Sequence, residues 1–226
     1  MEEVPERESA GWSRRWPATF MLLGIVLTWV AVGAWAFHVF RPTPQPEVIA
    51  SRPVTNWTRY TNGAESLGDE HAPTIMVIFS DYQCPFCRAL NEELEGLQRA
   101  NAHQFRIIVR NDPLSIHPYS YGAAIAAVCA GMQSRFAVYH NHLFAQQDSI
   151  GLKSWVAFAR DVNIPDLEHF SRCLTSDTAA AVVARDTVAA TELDLQGTPA
   201  ILLNGKLLQG AVESDTLAAY IERALR

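Results

Sequence analysis

A short apolar run that leads directly into a pair of cysteines constrains the fold of this chain more than any other feature. Residues 74–79 (T-I-M-V-I-F) are rich in apolar and β-branched side chains, which predicts a strand buried on both faces, as in an α/β sheet. Cys84 and Cys87 follow at C-x-x-C spacing, and leucines then recur at helical intervals. A second apolar run at residues 105–109 closes a predicted β-α-β unit.

Cys84 and Cys87 have the spacing of a dithiol pair in the first turn of a helix. Pro85 suits the first helical position, because the N–H that proline lacks would be unpaired there anyway. Cys84 is then the N-cap residue, where unpaired backbone N–H groups and the helix dipole favour thiolate over thiol. Cys87 lies three residues before Leu90 on the apolar face. We therefore expect an exposed, activated Cys84 sulfur and a shielded Cys87 sulfur, the asymmetry that dithiol exchange requires.

Other uses of the cysteines and histidines are less favoured. A C-x-x-C pair also fits half of a metal site or an incidental structural pair, but Cys129 and Cys173 are isolated, whereas a zinc ribbon needs a second close pair. His140 and His142 point to different helix faces, so we interpret them as surface or partly buried residues and predict no metal site.

The net charge of −6, without a basic stripe, argues against a nucleic-acid partner.

The second half of the chain predicts a helical insertion followed by a hairpin and a last helix. Asn204-Gly205 between two apolar runs is the signature of a type I′ hairpin turn. An amphipathic pattern follows it, with Ser214 as the expected N-cap. The segment between the second strand and the hairpin is nearly all helical in pattern, and a crossover needs only a dozen or so residues. The surplus predicts an inserted helical region at about residues 113–175.

The amino-terminal part predicts a membrane anchor. Residues 16–37 carry no charged side chain, and a helix of that length rises about 33 Å, close to the roughly 30 Å core of a bilayer. We assign residues 1–15 to a tail, 16–40 to a transmembrane helix and 41–65 to a linker that begins with alternating prolines. A cleaved signal peptide is the alternative, because Ala34-Trp35-Ala36 resembles a cleavage site, although the apolar run is long for one.

The motifs around the cysteine pair resemble a known family. Residues 79–87 (F-S-D-Y-Q-C-P-F-C) resemble the active-site segment of DsbA-like thiol–disulfide oxidoreductases, especially their membrane-anchored bacterial branch. Residues 197–200 (G-T-P-A) are similar to that family's cis-proline loop, and segments at 117–119, 129–130 and 136–140 resemble its helical insertion. The resemblance covers residue 66 to the end. It implies a thioredoxin fold over residues 66–226, with catalytic cysteines and no cofactor.

The resemblance also implies roles for individual residues. Pro199 is expected in cis beside the pair, where its loop offers backbone groups to an extended substrate peptide, a form of strand addition. Pro85, Phe86, Thr198 and Pro199 are then expected to contact the substrate. From the residues alone, Cys129 and Cys173 pair in an oxidising compartment or stay buried and reduced. The resemblance favours a structural disulfide between them.

Two positions depart from the family pattern. Members often carry a buried acid six residues before the first cysteine as the proton acceptor for the second cysteine, and this chain has Ile78 there. Asp81 is closer along the chain but follows the strand, so we expect it nearer to solvent. Phe86 replaces the histidine of the most oxidising members, so we expect a milder oxidant, within the roughly −120 to −230 mV of disulfide-handling proteins.

These features predict an oxidase of exported proteins that lies on the extracytoplasmic (periplasmic or extracellular) side of the cell membrane. A substrate thiolate attacks Cys84 of the disulfide, Cys87 leaves, and a membrane redox partner later reoxidises the dithiol. One alternative is a disulfide reductase or isomerase that uses the same pair. Another is a non-catalytic, membrane-tethered binding or chaperone module.

Overall fold

The structure is a computed structural model that describes residues 18–39, 49–100 and 103–209. The chain divides into two compact units, Met1–Gln45 and Pro46–Arg226. The first unit contains helix α1 (Ala18–Val39). Within the described residues, no helix is long and apolar enough to cross a membrane. The assignment of residues 16–40 to an anchor therefore stays a prediction.

The second unit is an α/β domain built on one mixed sheet. In chain order its elements are β1 (Ile49–Pro53), β2 (Glu65–Gly68), β3 (Thr74–Ser80), α2 (Pro85–Ala100), β4 (Phe105–Asn111), α3 (Ser120–Gly131), α4 (Phe136–Ala145), α5 (Trp155–Asp161), α6 (Leu167–Cys173), α7 (Asp177–Glu192), β5 (Ala200–Leu203) and β6 (Lys206–Gln209). Short 3-10 turns lie at Trp57–Thr61 and Gln147–Ser149. The helix predicted after Ser214 lies outside the described residues.

Strand β3 occupies the interior of the sheet, whose order is β1-β6-β5-β3-β4-β2. It pairs in parallel with β4 and antiparallel with β5, and all its residues except Ile75 are buried. The predicted β-α-β unit is thus β3-α2-β4. The predicted hairpin joins β5 to β6, and Asn204 and Gly205 both have positive φ (43° and 83°), as a type I′ turn requires. This arrangement brings the end of β3 beside the start of β5.

The segment assigned to a linker contributes to the sheet from residue 49 onward. Strand β1 covers the open edge of β6, and β2 covers the open edge of β4. Val54 N–H donates to Gly205 O at 2.8 Å, and the Trp57 ring packs against Gly205. Both edge strands are short and partly polar, so their formation depends on the edges that they cover rather than on an apolar pattern of their own.

Helices cover both faces of the sheet. One face, which includes Met76 and Ile78, packs against α2 and the inserted helices. The opposite face packs against the second half of α7, where a buried ion pair joins Arg110 of β4 to Asp186 at 2.6 Å. Asp186 also accepts hydrogen bonds from the N–H and side-chain amide of Asn111. Both charges are therefore paired and hydrogen-bonded, as buried charges must be.

Candidate active site

The cysteine pair lies at the junction of β3 and α2, at the end of the sheet where β5 begins. Asp81 O accepts a hydrogen bond from Cys84 N–H at 3.1 Å, which closes the turn between strand and helix. Cys84 O accepts from Arg88 N–H at 3.2 Å, so Cys84 stands at the N-cap of α2 and Pro85 at its first helical position. This is the local structure that the spacing predicts.

Both cysteines are buried, which corrects the expectation of an exposed Cys84. The residue is only 3% exposed and Cys87 only 1%. The Thr198-Pro199 bond is cis, and the Cys84 thiol donates to Thr198 O at 3.3 Å, so the loop before β5 covers the sulfur. The position of Cys84 at the start of the helix could not predict this contact, because Thr198 lies 114 residues after Cys84 in the chain. Phe86 is the exposed side chain of the motif.

The two sulfurs differ in proton affinity. A hydrogen bond from the Cys87 thiol, helped by the backbone N–H groups of Cys87 and Phe86 and by the side chain of Thr198, lowers the pKa of Cys84 to about 6. Burial raises the pKa of Cys87, and the hydrogen bond to Cys84 and the charge of the Cys84 sulfur raise it further. At neutral pH the reduced pair therefore consists of a Cys84 thiolate and a Cys87 thiol, the asymmetry that the helix start predicts.

Asp81 is a buried anchor of the active-site turn, not a residue near solvent as expected. Its side chain is fully buried, with one carboxylate oxygen accepting from Gln83 N–H at 2.7 Å. The other oxygen accepts from Leu114 N–H and bonds His117 Nδ1, both at 2.8 Å. The backbone N–H of Asp81 donates to the Cys87 sulfur at 3.4 Å. The loop after β4 closes over this carboxylate and excludes water from it.

The helical insertion reaches the same turn through Gln147. Its side-chain amide donates to Tyr82 O at 2.8 Å and to Cys84 O at 3.0 Å. Sequence reasoning missed Gln147, because a polar residue at the end of a helical pattern carries no signal of its distant partners. His140 is also buried, at 3% exposure, whereas we expected a surface or partly buried residue.

Within the insertion, Cys129 of α3 and Cys173 of α6 form a disulfide with an S–S distance of 2.02 Å. Of the residues expected to contact substrate, Pro85 and Phe86 are exposed, whereas Thr198 is partly buried and Pro199 buried. Exposed apolar side chains on neighbouring loops, Ile116 and Tyr119, follow the segment that Asp81 anchors. Substrate contact by these residues stays a prediction.

The comparison with family models decides the family. A model described as thioredoxin matches residues 61–223. The chain belongs to the thioredoxin family. Among solved structures, a thioredoxin-like oxidoreductase from Silicibacter pomeroyi DSS-3 is 27% identical, with a TM-score of 0.64 over 76% of this chain and 98% of that chain. BdbD from Bacillus subtilis (oxidised) is 22% identical, with a TM-score of 0.65 over 79% of this chain and 98% of that chain.

The thiol–disulfide exchange protein alpha-DsbA2 from Wolbachia pipientis shares the fold as well, at 19% identity and a TM-score of 0.62 over 74% of this chain and 91% of that chain. The predicted resemblance to DsbA-like proteins of the thioredoxin superfamily is thus confirmed. The curated relatives are longer. The Na⁺/H⁺ antiporter NhaA 3 of Salinispora tropica is 30% identical over 70% of this chain. The chain spans about a quarter of that antiporter's length, and likewise of the NhaA of Herminiimonas arsenicoxydans.

Replacing Thr198 with valine is expected to raise the pKa of Cys84, because a hydrogen bond from the Thr198 side chain favours the thiolate, whereas the backbone oxygen of residue 198 is kept in the variant. We expect a rise of about one pH unit, the effect of losing a weak hydrogen bond to a charged group. Ultraviolet absorbance of the thiolate as a function of pH measures it. Thr198→Ser keeps the hydroxyl and is the matched control. Superimposable titrations of the valine variant and the wild type would contradict the role of the hydroxyl.

Proposed function

We propose that the protein is a thiol–disulfide oxidoreductase that oxidises cysteine pairs of exported proteins. The observation that carries the proposal is the placement of Cys84 and Cys87 at a helix start beside the Thr198-Pro199 loop, which lowers the pKa of Cys84 and raises the pKa of Cys87. A low pKa stabilises Cys84 as a leaving group, and a stabilised reduced form makes the disulfide an oxidant. The value of about 6 lies between the roughly 3.5 of DsbA and the roughly 7 of thioredoxin, which favours a mild oxidant.

The reaction begins with the Cys84–Cys87 disulfide. A substrate thiolate attacks the Cys84 sulfur, the disulfide bond breaks, and Cys87 leaves as a thiolate that takes up a proton. The substrate is then joined to Cys84 in a mixed disulfide. Its second thiolate attacks the substrate sulfur of that bond, which releases an oxidised substrate and the Cys84 thiolate. The pair has gained two electrons, and a membrane redox partner is proposed to remove them.

The steady-state redox form of the pair in cells tests the direction of the reaction. For an oxidase, alkylation of acid-quenched cells should find Cys84 and Cys87 mostly as the disulfide, and the oxidised full-length protein should transfer its disulfide to a reduced, unfolded substrate. A mostly reduced pair would favour a reductase or isomerase. If a variant lacking both cysteines retained the cellular activity, the protein would be a binding or chaperone module instead.

We also propose that residues 16–40 anchor the domain to the membrane, with the catalytic domain on the extracytoplasmic side. The uncharged stretch of residues 16–37 supports the anchor, and so do relatives in which a similar segment is part of a membrane antiporter. The Cys129–Cys173 disulfide supports an oxidising compartment, where such bonds persist. The protein should stay in the membrane fraction after an alkaline carbonate wash. A mature amino terminus at Phe37 would show a cleaved signal peptide.

A further inference from the structure

A small cavity lies against Cys87, on the face of the sheet that α2 and α4 cover. Its volume of about 20 Å³ is enough for one water molecule. Most of its wall is apolar and includes Ile78 of β3. Its polar wall consists of Ser80, Asn91 and His140. The second cysteine of the pair thus faces polar groups although no carboxyl stands at position 78.

A chain of hydrogen bonds fixes the orientation of this polar wall. The side-chain amide nitrogen of Asn91 donates to Glu95 at 3.2 Å, so its Oδ1 faces His140 Nε2 at 2.9 Å. That oxygen can only accept, so Nε2 carries the ring proton and Nδ1 is bare. The Tyr82 hydroxyl, 2.8 Å from Nδ1, must therefore donate to it. The chain runs in one direction, from the active-site turn to the surface of α2.

His140 does not itself take the proton of Cys87. Burial lowers the pKa of His140 to about 3, so the ring is neutral at physiological pH, and both of its nitrogens are occupied. Apart from Cys87, it is the one ionisable group among the described residues that line the cavity. Capacity for further hydrogen bonds remains on the Asn91 amide and on Ser80, whose hydroxyl bonds the Cys87 sulfur. Together with that sulfur they offer a water three partners, the usual number for a buried water.

We propose that Ser80 and Asn91, with the Asn91 amide oriented by His140, hold one water molecule against Cys87, and that this water donates a hydrogen bond to the Cys87 thiolate. The proposal rests on the exchange function proposed above. A thiolate in an apolar cavity is costly unless donors surround it. The N–H of Asp81 and the Ser80 hydroxyl are two donors, and the water adds a third, so Cys87 ionises without a carboxyl at position 78. Asn91 and His140 act through the water and are positioning residues.

Filling the cavity tests the proposal without removing any polar group. Val109 lines the cavity, and Val109→Ile adds one methyl group that displaces the water. Val183→Ile adds the same group at a buried site of α7 that does not line the cavity, and it is the matched control. Ser80→Ala is a second variant, which removes one partner of the water. All variants are made in the full-length protein.

Glutathione disulfide separates the two steps of the reaction. The Cys84 thiolate attacks it, which releases one glutathione and leaves the other on Cys84. The Cys87 thiolate then attacks the Cys84 sulfur and releases the second glutathione. We expect Val109→Ile and Ser80→Ala to slow the second step about tenfold at neutral pH and to shift its pH profile upward. The first step should keep its wild-type rate, because Cys84 does not line the cavity.

Each outcome decides the proposal. Equal second-step rates in Val109→Ile and Val183→Ile would overturn it, and so would a loss confined to Ser80→Ala, which would assign the effect to the hydroxyl alone. Equal slowing of both steps would indicate a merely structural effect and would also overturn it. A wild-type protein that forms no mixed disulfide with glutathione would instead contradict the proposed function.

Discussion

Cys87→Ala should convert the protein into a trap for its substrates, with no catalysed turnover. Cys84 would still exchange with a substrate disulfide and form the intermolecular bond. Nothing within the protein could then displace the substrate, because Cys87 is the sulfur positioned beside Cys84. Non-reducing electrophoresis followed by mass spectrometry should find mixed disulfides through Cys84. Cys84→Ala should trap few, because burial raises the pKa of the remaining Cys87 thiol and leaves it unreactive.

The trap should also differ from the wild type in its pH dependence. The hydrogen bond from the Cys87 thiol is the largest cause of the low Cys84 pKa. Cys87→Ala removes this bond, so the Cys84 pKa should rise from about 6 toward the roughly 8.5 of free cysteine. Alkylation of Cys84 should therefore need a higher pH in the variant. If Cys84→Ala traps substrates and Cys87→Ala does not, the assignment of the attacking sulfur is wrong.

Local sequence patterns predicted the β-α-β unit and the hairpin of the domain, but they did not predict the strands at the edges of the sheet. The apolar run of β3 and the Asn204-Gly205 turn each decide their structure within a few residues, so they predicted the β-α-β unit and the hairpin. Strand β1 (I-A-S-R-P) has no such pattern. It forms because β6 would otherwise leave an unpaired edge, and that edge lies more than 150 residues away along the chain.

The same division holds within the active site. C-x-x-C spacing predicted the N-cap position of Cys84 and the direction of its pKa, because both depend on the first turn of α2. The cover over Cys84 and the carboxylate bonds of Asp81 depend on contacts with Thr198 and Leu114, far along the chain. A polar residue just after a strand is usually near solvent, and only the fold shows that a later loop closes over Asp81. The sequence could not reveal these contacts, because they join residues that are far apart in the chain.

Asp81→Ala is expected to have the largest effect of any substitution outside the cysteine pair. The carboxylate satisfies two backbone N–H groups, those of Gln83 and Leu114, and it also bonds His117. Its removal leaves these buried donors without an acceptor, and each unpaired donor lowers the stability of the folded state by about 1–3 kcal/mol. We expect the free energy of unfolding to fall by about 2–4 kcal/mol, measured by chemical denaturation of the oxidised protein.

Disulfide exchange should slow together with the loss of stability, because the Asp81 turn also positions the donor to Cys87. Asp148→Ala is the matched control. It removes a carboxylate with the same charge from the Gln147–Ser149 turn, but that side chain is 90% exposed and its ion pair with Arg88 is weak. The control should change stability by less than about 0.5 kcal/mol. Equal effects of Asp81→Ala and Asp148→Ala on stability and exchange rate would mean that the carboxylate acts only through its charge, and that the buried hydrogen bonds do not hold the active-site turn.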